Sequence, residues 1–267
     1  MTTLITGLPR SGTTLTVAIL NDQPNCVALA EPLPLASMPD DPEEFSKAVG
    51  SFAGDMRQSA LRDRLVRTKS IGGLLSSNFV KETDRGEGLR KSEAQNSTVA
   101  IDKEIDSDFQ LYIKHPAAFT ALTDTLSSRF PLFACIRSPL AVLASWQTVD
   151  MPVNRGRVPM AERFSPELSA RLDAIPDALS RQVYLMRWFL EAYASMPRER
   201  ILRFEDLIED TRSALANICP GNTGTRLELQ TIDIEKRYPS VDIDRLRHAL
   251  KPIDEIIRYH YPEGMPR

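Results

Sequence analysis

The stretch that most constrains this chain is Leu4-Ile5-Thr6-Gly7-Leu8-Pro9-Arg10-Ser11-Gly12-Thr13-Thr14-Leu15. A short apolar run reads as a buried strand. It breaks at Gly7, turns through Pro9 and Gly12, and enters a helical pattern at Thr13. A strand, a glycine-bounded loop and a helix N-terminus direct several backbone N–H groups at one point. The helix dipole adds partial positive charge there. An anion, most often a phosphate, is the natural occupant. The plain alternative is a tight βα turn whose glycines serve packing.

Gly7 and Gly12 have the spacing of a Walker A loop, but the next residue is Thr13 where that motif has Lys. The positive side chain of this loop is Arg10. The geometry of a phosphate loop is kept while its usual triphosphate chemistry is not.

The chain has 267 residues, enough for one α/β domain with a buried core. Its net charge of −3 argues against a general nucleic-acid or membrane-surface binder. Basic residues then matter locally, as anion ligands. Cys26, Cys135 and Cys219 are widely spaced and odd in number, which predicts buried free thiols in a reducing compartment. No Cys/His cluster has metal-ligand spacing. No apolar span of about 18 residues occurs, nor a signal-peptide pattern. With a core strand starting almost at Met1, the expectation is a cytoplasmic protein with nothing before the domain.

Further strands are predicted at Cys26–Leu29, Thr98–Ile101, Gln110–Lys114, Leu132–Ile136 and Ile201–Phe204, alternating with helical stretches. Helices are predicted over Thr13–Asn21, Glu43–Thr68 (one or two), Ala117–Ser128, Leu140–Val149, Asp177–Met196, from about Thr211, and Asp242–Tyr259. Residues 81–97 read as a mobile surface loop; 151–166 and 219–240 show no regular pattern. The alternation implies a three-layer α/β fold, a P-loop-like central parallel sheet flanked by helices. Ligands of such sheets sit at the carboxyl ends of the strands. The whole of 1–267 reads as one domain. Residues 33–108 read as an insertion that covers the site and shapes an acceptor pocket.

A second stretch is Phe133-Ala134-Cys135-Ile136-Arg137-Ser138-Pro139, running on to Ser145-Trp146. Arg137 stands at the carboxyl end of a buried strand, and Ser145 lies two turns into the next helix. An arginine fork and a hydroxyl suit a phosphate monoester. Alternatively, Arg137 caps the loop or pairs with a surface carboxylate.

Gly-x-Pro-Arg-Ser-Gly-Thr-Thr-Leu followed by this Arg…Ser pair resembles the sulfotransferases that use 3′-phosphoadenosine 5′-phosphosulfate (PAPS). The loop is closest to the tyrosylprotein branch; the membrane anchor of that branch is not expected here. The likeness covers Thr3 to about Leu207, the insertion excepted. It implies that Arg10, Ser11, Gly12, Thr13 and Thr14 bind the 5′-phosphosulfate, and that Arg137 and Ser145 bind the 3′-phosphate. Phe204, in Phe-Glu-Asp-Leu, holds the aromatic position near the adenine, where the family has Tyr. Lys236 or Arg237 supplies a late basic contact, or is a solvated surface pair.

For chemistry, the likeness points to Glu31, after the second strand, as general base. It points to Lys114, in Tyr112-Ile113-Lys114-His115-Pro116, as the group that neutralises the bridging oxygen as sulfuryl leaves. With Arg10 these form the expected catalytic set. His115 is the alternative base, although neighbouring strand residues point to opposite faces. The implied reaction is in-line transfer to a hydroxyl of a small-molecule, carbohydrate, lipid or peptide acceptor. It yields 3′,5′-adenosine bisphosphate without metal. The rivals are a P-loop nucleotide kinase, with Asp102 in Val99-Ala100-Ile101-Asp102 mimicking its metal ligand, and an inactive nucleotide-binding protein of the same fold. The oligomeric state is not readable.

Overall fold

The computed structural model describes residues 1–80, 88–230 and 233–265. Seven strands form two sheets. In chain order they are β1 (Thr2–Gly7), β2 (Cys26–Ala30), β3 (Leu65–Ser70), β4 (Gln95–Ala100), β5 (Gln110–Lys114), β6 (Leu132–Ile136) and β7 (Ile201–Arg203). Five of them make a parallel sheet in the order β2-β5-β1-β6-β7, and β3 and β4 make a separate antiparallel pair. The apolar runs explain the parallel sheet. Helices on both faces leave strands no solvent side, so Leu4, Ile5, Leu111, Ile113, Leu132 and Ala134 are all buried.

Strand β1 is the hinge of the architecture, with β5 on one side and β6 on the other. Register sets Ile5 beside Lys114 and Gly7 beside Cys135. The carboxyl ends of three central strands therefore open together, where the loop Leu8–Gly12 leads into helix Thr13–Asn21. That helix has no side-chain cap at its N-terminus, so its first amides are left for another acceptor. The loop is fastened from below: Ser11 donates through Oγ to the Cys135 carbonyl at 2.8 Å, and Leu8 N–H donates to the same oxygen at 3.2 Å. Gly12 lies at φ 91°, and a Cβ there would come within 2.4 Å of the Phe204 ring.

The insertion departs from the expected pattern. One helix spans Pro42–Arg62, capped by Asp41 as its Asp-Pro-Glu-Glu start predicts. It ends before Arg64, whose φ of 57° turns the chain into β3. Residues 65–70 are thus a strand and not helix: Val66, Thr68 and Ser70 are buried in alternation, while Arg67 and Lys69 mimic a basic helix end. Residues 88–94 are tied to the body of the fold at Arg90. Arg90 N–H donates to the Thr148 carbonyl at 2.9 Å, and Asp150 N–H donates to the Arg90 carbonyl at 2.8 Å. Residues 81–87 of that loop lie outside the described residues. Elsewhere a helix at Pro166–Asp173, capped by Ser165, had no counterpart in the sequence reading. The expected last helix is two, Ile243–Ala249 and Asp254–His260, divided at Lys251–Ile253, where Pro252 removes an N–H. The three cysteines are free and buried, and Cys26 and Cys219 meet with sulfurs 3.8 Å apart. Among the described residues no helix is long and apolar enough to cross a membrane.

The loop after β2 is braced from two sides. The Nε2 atom of His115 accepts the Leu33 N–H at 3.0 Å. Arg163 clasps the Leu35 and Met38 carbonyls and Asp40. His115 is buried, and that burial pushes its pKa down from 6.5 to about 3, so the native ring is neutral.

Two outcomes follow for stability. Gly12→Ala combines a left-handed φ with a ring contact and loses roughly 2–4 kcal/mol in denaturant unfolding. Gly72→Ala, also left-handed but with open space around it, loses about 1 kcal/mol. For His115, the unfolded chain takes up a proton that the native chain refuses between pH 6.5 and about 3. Stability is full above pH 6.5 and falls with acidification, by on the order of 4 kcal/mol from this group. His115→Gln, which keeps an acceptor for Leu33, should flatten the dependence of unfolding free energy on pH; an unchanged slope refutes this account.

Candidate active site

Arg10 adopts φ 73°, which turns its side chain out of the loop and across the open ends of the strands. Its Nε donates to Ser145 Oγ at 3.2 Å, and both Nη atoms approach Asn78 Oδ1 at 3.4 Å. Thr14 reaches the other way, where its hydroxyl accepts from Lys114 Nζ at 3.3 Å. Ser11 is different. Its hydroxyl is taken by Cys135, so only its backbone is available to a ligand. Thr13 is buried, its methyl under Gly7.

On the Arg10 side lies a crowd of like charges. Arg137 follows β6 with its guanidinium 4.4 Å over the Phe204 ring. Arg90 sits 5.8 Å over the Tyr238 ring and is tied to Thr148 Oγ1 at 2.7 Å. Burial, with the charges of Arg90, Arg137 and Arg237 adding to it and Tyr238 opposing, lowers the Arg10 pKa to about 10. Burial likewise lowers Arg137, with Arg237 adding to it and Glu205 opposing. Burial raises the phenol of Tyr238, but the field of Arg137 and hydrogen bonds with Ser145 and Arg237 bring it below its ordinary value. Glu205 is partly occupied elsewhere: it accepts the Ser138 N–H at 2.8 Å and the Tyr261 hydroxyl at 3.3 Å. Four half-buried guanidinium groups round one buried hydroxyl make a strong site for a multivalent anion.

The structure separates residues that the sequence left together. Arg237 belongs to this cluster, whereas Lys236 beside it is exposed. Phe204 forms the wall between Gly12 and Arg137. Arg90, Asn78 and Tyr238 were missed. Arg90 and Asn78 lie in polar stretches without periodicity, which carry no local signal. Tyr238 had one, an aromatic next to a basic pair already singled out.

On the Thr14 side, Lys114 ends β5 with its side chain only 2% exposed. Its ammonium donates to Glu31 Oε1 at 2.7 Å and lies 5.5 Å from the Phe79 ring centroid. Glu31 follows β2 at φ 49°, its N–H bonded to the Lys114 carbonyl at 2.8 Å. Lys69 of β3 holds its other oxygen, Oε2, at 2.5 Å. Burial pushes the Glu31 carboxyl up, but the charges of Lys114 and Lys69 and the Lys114 hydrogen bond outweigh it. They hold the group well below the usual carboxylate range.

Glu31, Lys69 and His115 line an open cleft of about 510 Å³ whose other walls include Leu33, Leu35 and Met160. His115 turns its Nε2 to Leu33, so in this arrangement that nitrogen is engaged. Asp102 follows β4, in the outer antiparallel pair and not in the central sheet that carries the loop.

Comparison with protein-family models gives no match, and comparison with curated protein sequences gives none. Among solved structures the chain is similar to sulfotransferase STF1 from Mycobacterium tuberculosis H37Rv (type 1 form). The identity is 12%, 93% of this chain and 76% of that chain are covered, and the TM-score is 0.36.

Proposed function

We propose that the chain is a sulfotransferase that moves a sulfuryl group from PAPS to an acceptor hydroxyl. One observation carries this reading. A buried Lys114–Glu31 ion pair touches the phosphate loop at Thr14, and the same loop reaches the arginine cluster through Arg10. A nucleotide with phosphates at both ends of its ribose, and a transferable group between loop and carboxylate, matches both halves.

In this reading the loop amides and Thr14 hold the 5′ end, and Arg137, Ser145 and Arg237 hold the 3′-phosphate. Arg90 and Tyr238 complete that pocket. Phe204 lies where it can pack against the nucleoside. The acceptor oxygen forms a bond to sulfur as the bond from sulfur to the bridging phosphate oxygen breaks. The acceptor proton goes to Glu31, and the charge left on the bridging oxygen is met by Lys114. Arg10, between the two halves, opposes charge on the group in transit. A loose transition state asks for positioning and fixed positive charge more than for a strong base. A carboxylate kept ionised by two lysines suits that demand. Because Lys69, Asn78, Phe79 and Arg90 all reach the site from 33–108, the insertion is read as part of one domain, shaping the acceptor side. The acceptor class stays broad: a small molecule, carbohydrate, lipid or peptide hydroxyl.

Binding is tested by thermal shift with 3′,5′-adenosine bisphosphate against AMP and Mg-ATP. The bisphosphate should stabilise by about 2.7 kcal/mol at a hundredfold excess over Kd. AMP should not, and Arg137→Ala or Arg237→Ala should abolish the shift, while Lys236→Ala leaves it. A shift with Mg-ATP alone would sink the reading in favour of a kinase.

Turnover is tested with PAPS and a panel of alcohols, phenols and sugars. Glu31→Gln and Lys114→Met should each slow transfer by roughly 10²–10⁴-fold, with bisphosphate binding retained as proof of folding. Binding without turnover in the parent protein would leave an inactive nucleotide-binding protein. Because the carboxyl of Glu31 titrates well below the usual range, its basic form persists through pH 5. Acidification to pH 5 should therefore not reduce kcat/KM through this group; a limb near pH 6 abolished by Glu31→Gln would contradict the assignment.

A further inference from the structure

Among the described residues Lys69 is the one cation at Glu31 that the family likeness does not supply, and its neighbours on β3 fix its position. Strand β3 crosses the end of β2, where Thr68 Oγ1 accepts the Ala30 N–H at 2.8 Å. Ser70 bonds Ser97 of β4 at 2.6 Å. These two inward residues of β3 flank Lys69 and fix its direction. The two lysines differ in exposure: the Lys114 side chain is 2% exposed, that of Lys69 33%. They also differ in side. Lys114 binds Oε1 and touches the phosphate loop, while Lys69 binds Oε2 and lines the open cleft.

Resting on the sulfuryl-transfer reading, we propose that Lys69 is a positioning residue of the acceptor side: it holds Glu31 by the oxygen that faces the cleft and yields that oxygen to the incoming hydroxyl. An acceptor must reach Glu31 from the cleft, because the other oxygen is enclosed with Lys114. Only Oε2 is then open to receive its proton. A half-exposed lysine can swing into solvent along its flexible stem, whereas Lys114 cannot leave without stranding a buried charge. Once Lys69 has moved, Glu31 keeps one counter-charge instead of two, so its affinity for a proton rises when the acceptor arrives. The groups facing Glu31 are Lys114 and His115 from β5 and the residue after it, and Lys69 from β3. His115 is neutral above about pH 3, which leaves the lysines to set the field.

The test is a carboxyl NMR titration of Glu31 in the full chain with 3′,5′-adenosine bisphosphate bound, in the parent, Lys69→Met and Lys69→Arg. In parallel, kcat/KM for PAPS turnover is followed against pH. Lys69→Met should raise the proton affinity of Glu31 tenfold or more and move the acid limb upward by the same factor. Lys69→Arg should restore both, and bisphosphate affinity should stay within twofold throughout, since Lys69 does not touch the loop. If Lys69→Met folds poorly, Lys69→Gln is read in the same way. An unmoved carboxyl titration overturns the assignment, as does a moved titration with an unmoved acid limb. Absence of bisphosphate binding in the parent overturns the sulfuryl-transfer reading instead, and the titration, which needs no turnover, keeps the two failures apart.

Discussion

A lysine charge buried at the carboxyl end of a central strand is the constraint round which this molecule is arranged. A lone ammonium at that depth would be driven to neutrality or would unfold its surroundings. At Lys114 that charge is met by Glu31 at 2.7 Å, and Thr14 accepts a second bond. Glu31 can do so only by leaving β2 through a left-handed turn, its amide still bonded to the Lys114 carbonyl. Replacing such a pair with apolar residues is often neutral or stabilising, so the pair is weak evidence for a purely structural purpose. It also touches Thr14, at the start of the helix that follows the Leu8–Gly12 loop.

The arginine side shows the opposite economy. There the charges are alike. Folding brings Arg10, Arg90, Arg137 and Arg237 together against their mutual repulsion and their own desolvation. The aromatic faces of Phe204 and Tyr238 offset part of this. Such a local conflict is what a preorganised anion site looks like before its ligand arrives.

Much of this was legible in the sequence, for identifiable reasons. Continuous apolar runs mark parallel strands, and a chemical residue directly after such a run lies at the carboxyl edge. That reasoning singled out Arg137, the Gly7–Gly12 spacing singled out the loop, and the family resemblance pointed to Glu31 and Lys114 at the same edge. It failed where position depends on partners far along the chain. Arg90 is held by Thr148, and nothing in its own neighbourhood announces that. The helix expected over Glu43–Thr68 ran into β3, although Val66, Thr68 and Ser70 alternate as a strand requires; the neighbouring arginines masked the period. The Cys26–Cys219 contact was invisible for the same reason, since it joins the start of β2 to a turn 193 residues later.

The two halves of the site are joined through the loop itself. Arg10 and Thr14 leave it in different directions, one to Ser145 and the arginines, the other to Lys114 and Glu31. Both directions depend on backbone that only certain residues tolerate: a left-handed Arg10, and a Gly12 pressed against the ring of Phe204. Phe204 in turn supports Arg137 on its face. The loop therefore joins, through short contacts on either side, a carboxylate paired with lysine and a cluster of guanidinium groups. Coupling of this kind needs no conformational change: it follows from a short loop with side chains committed to both neighbours and a glycine that leaves no room for the loop to shift.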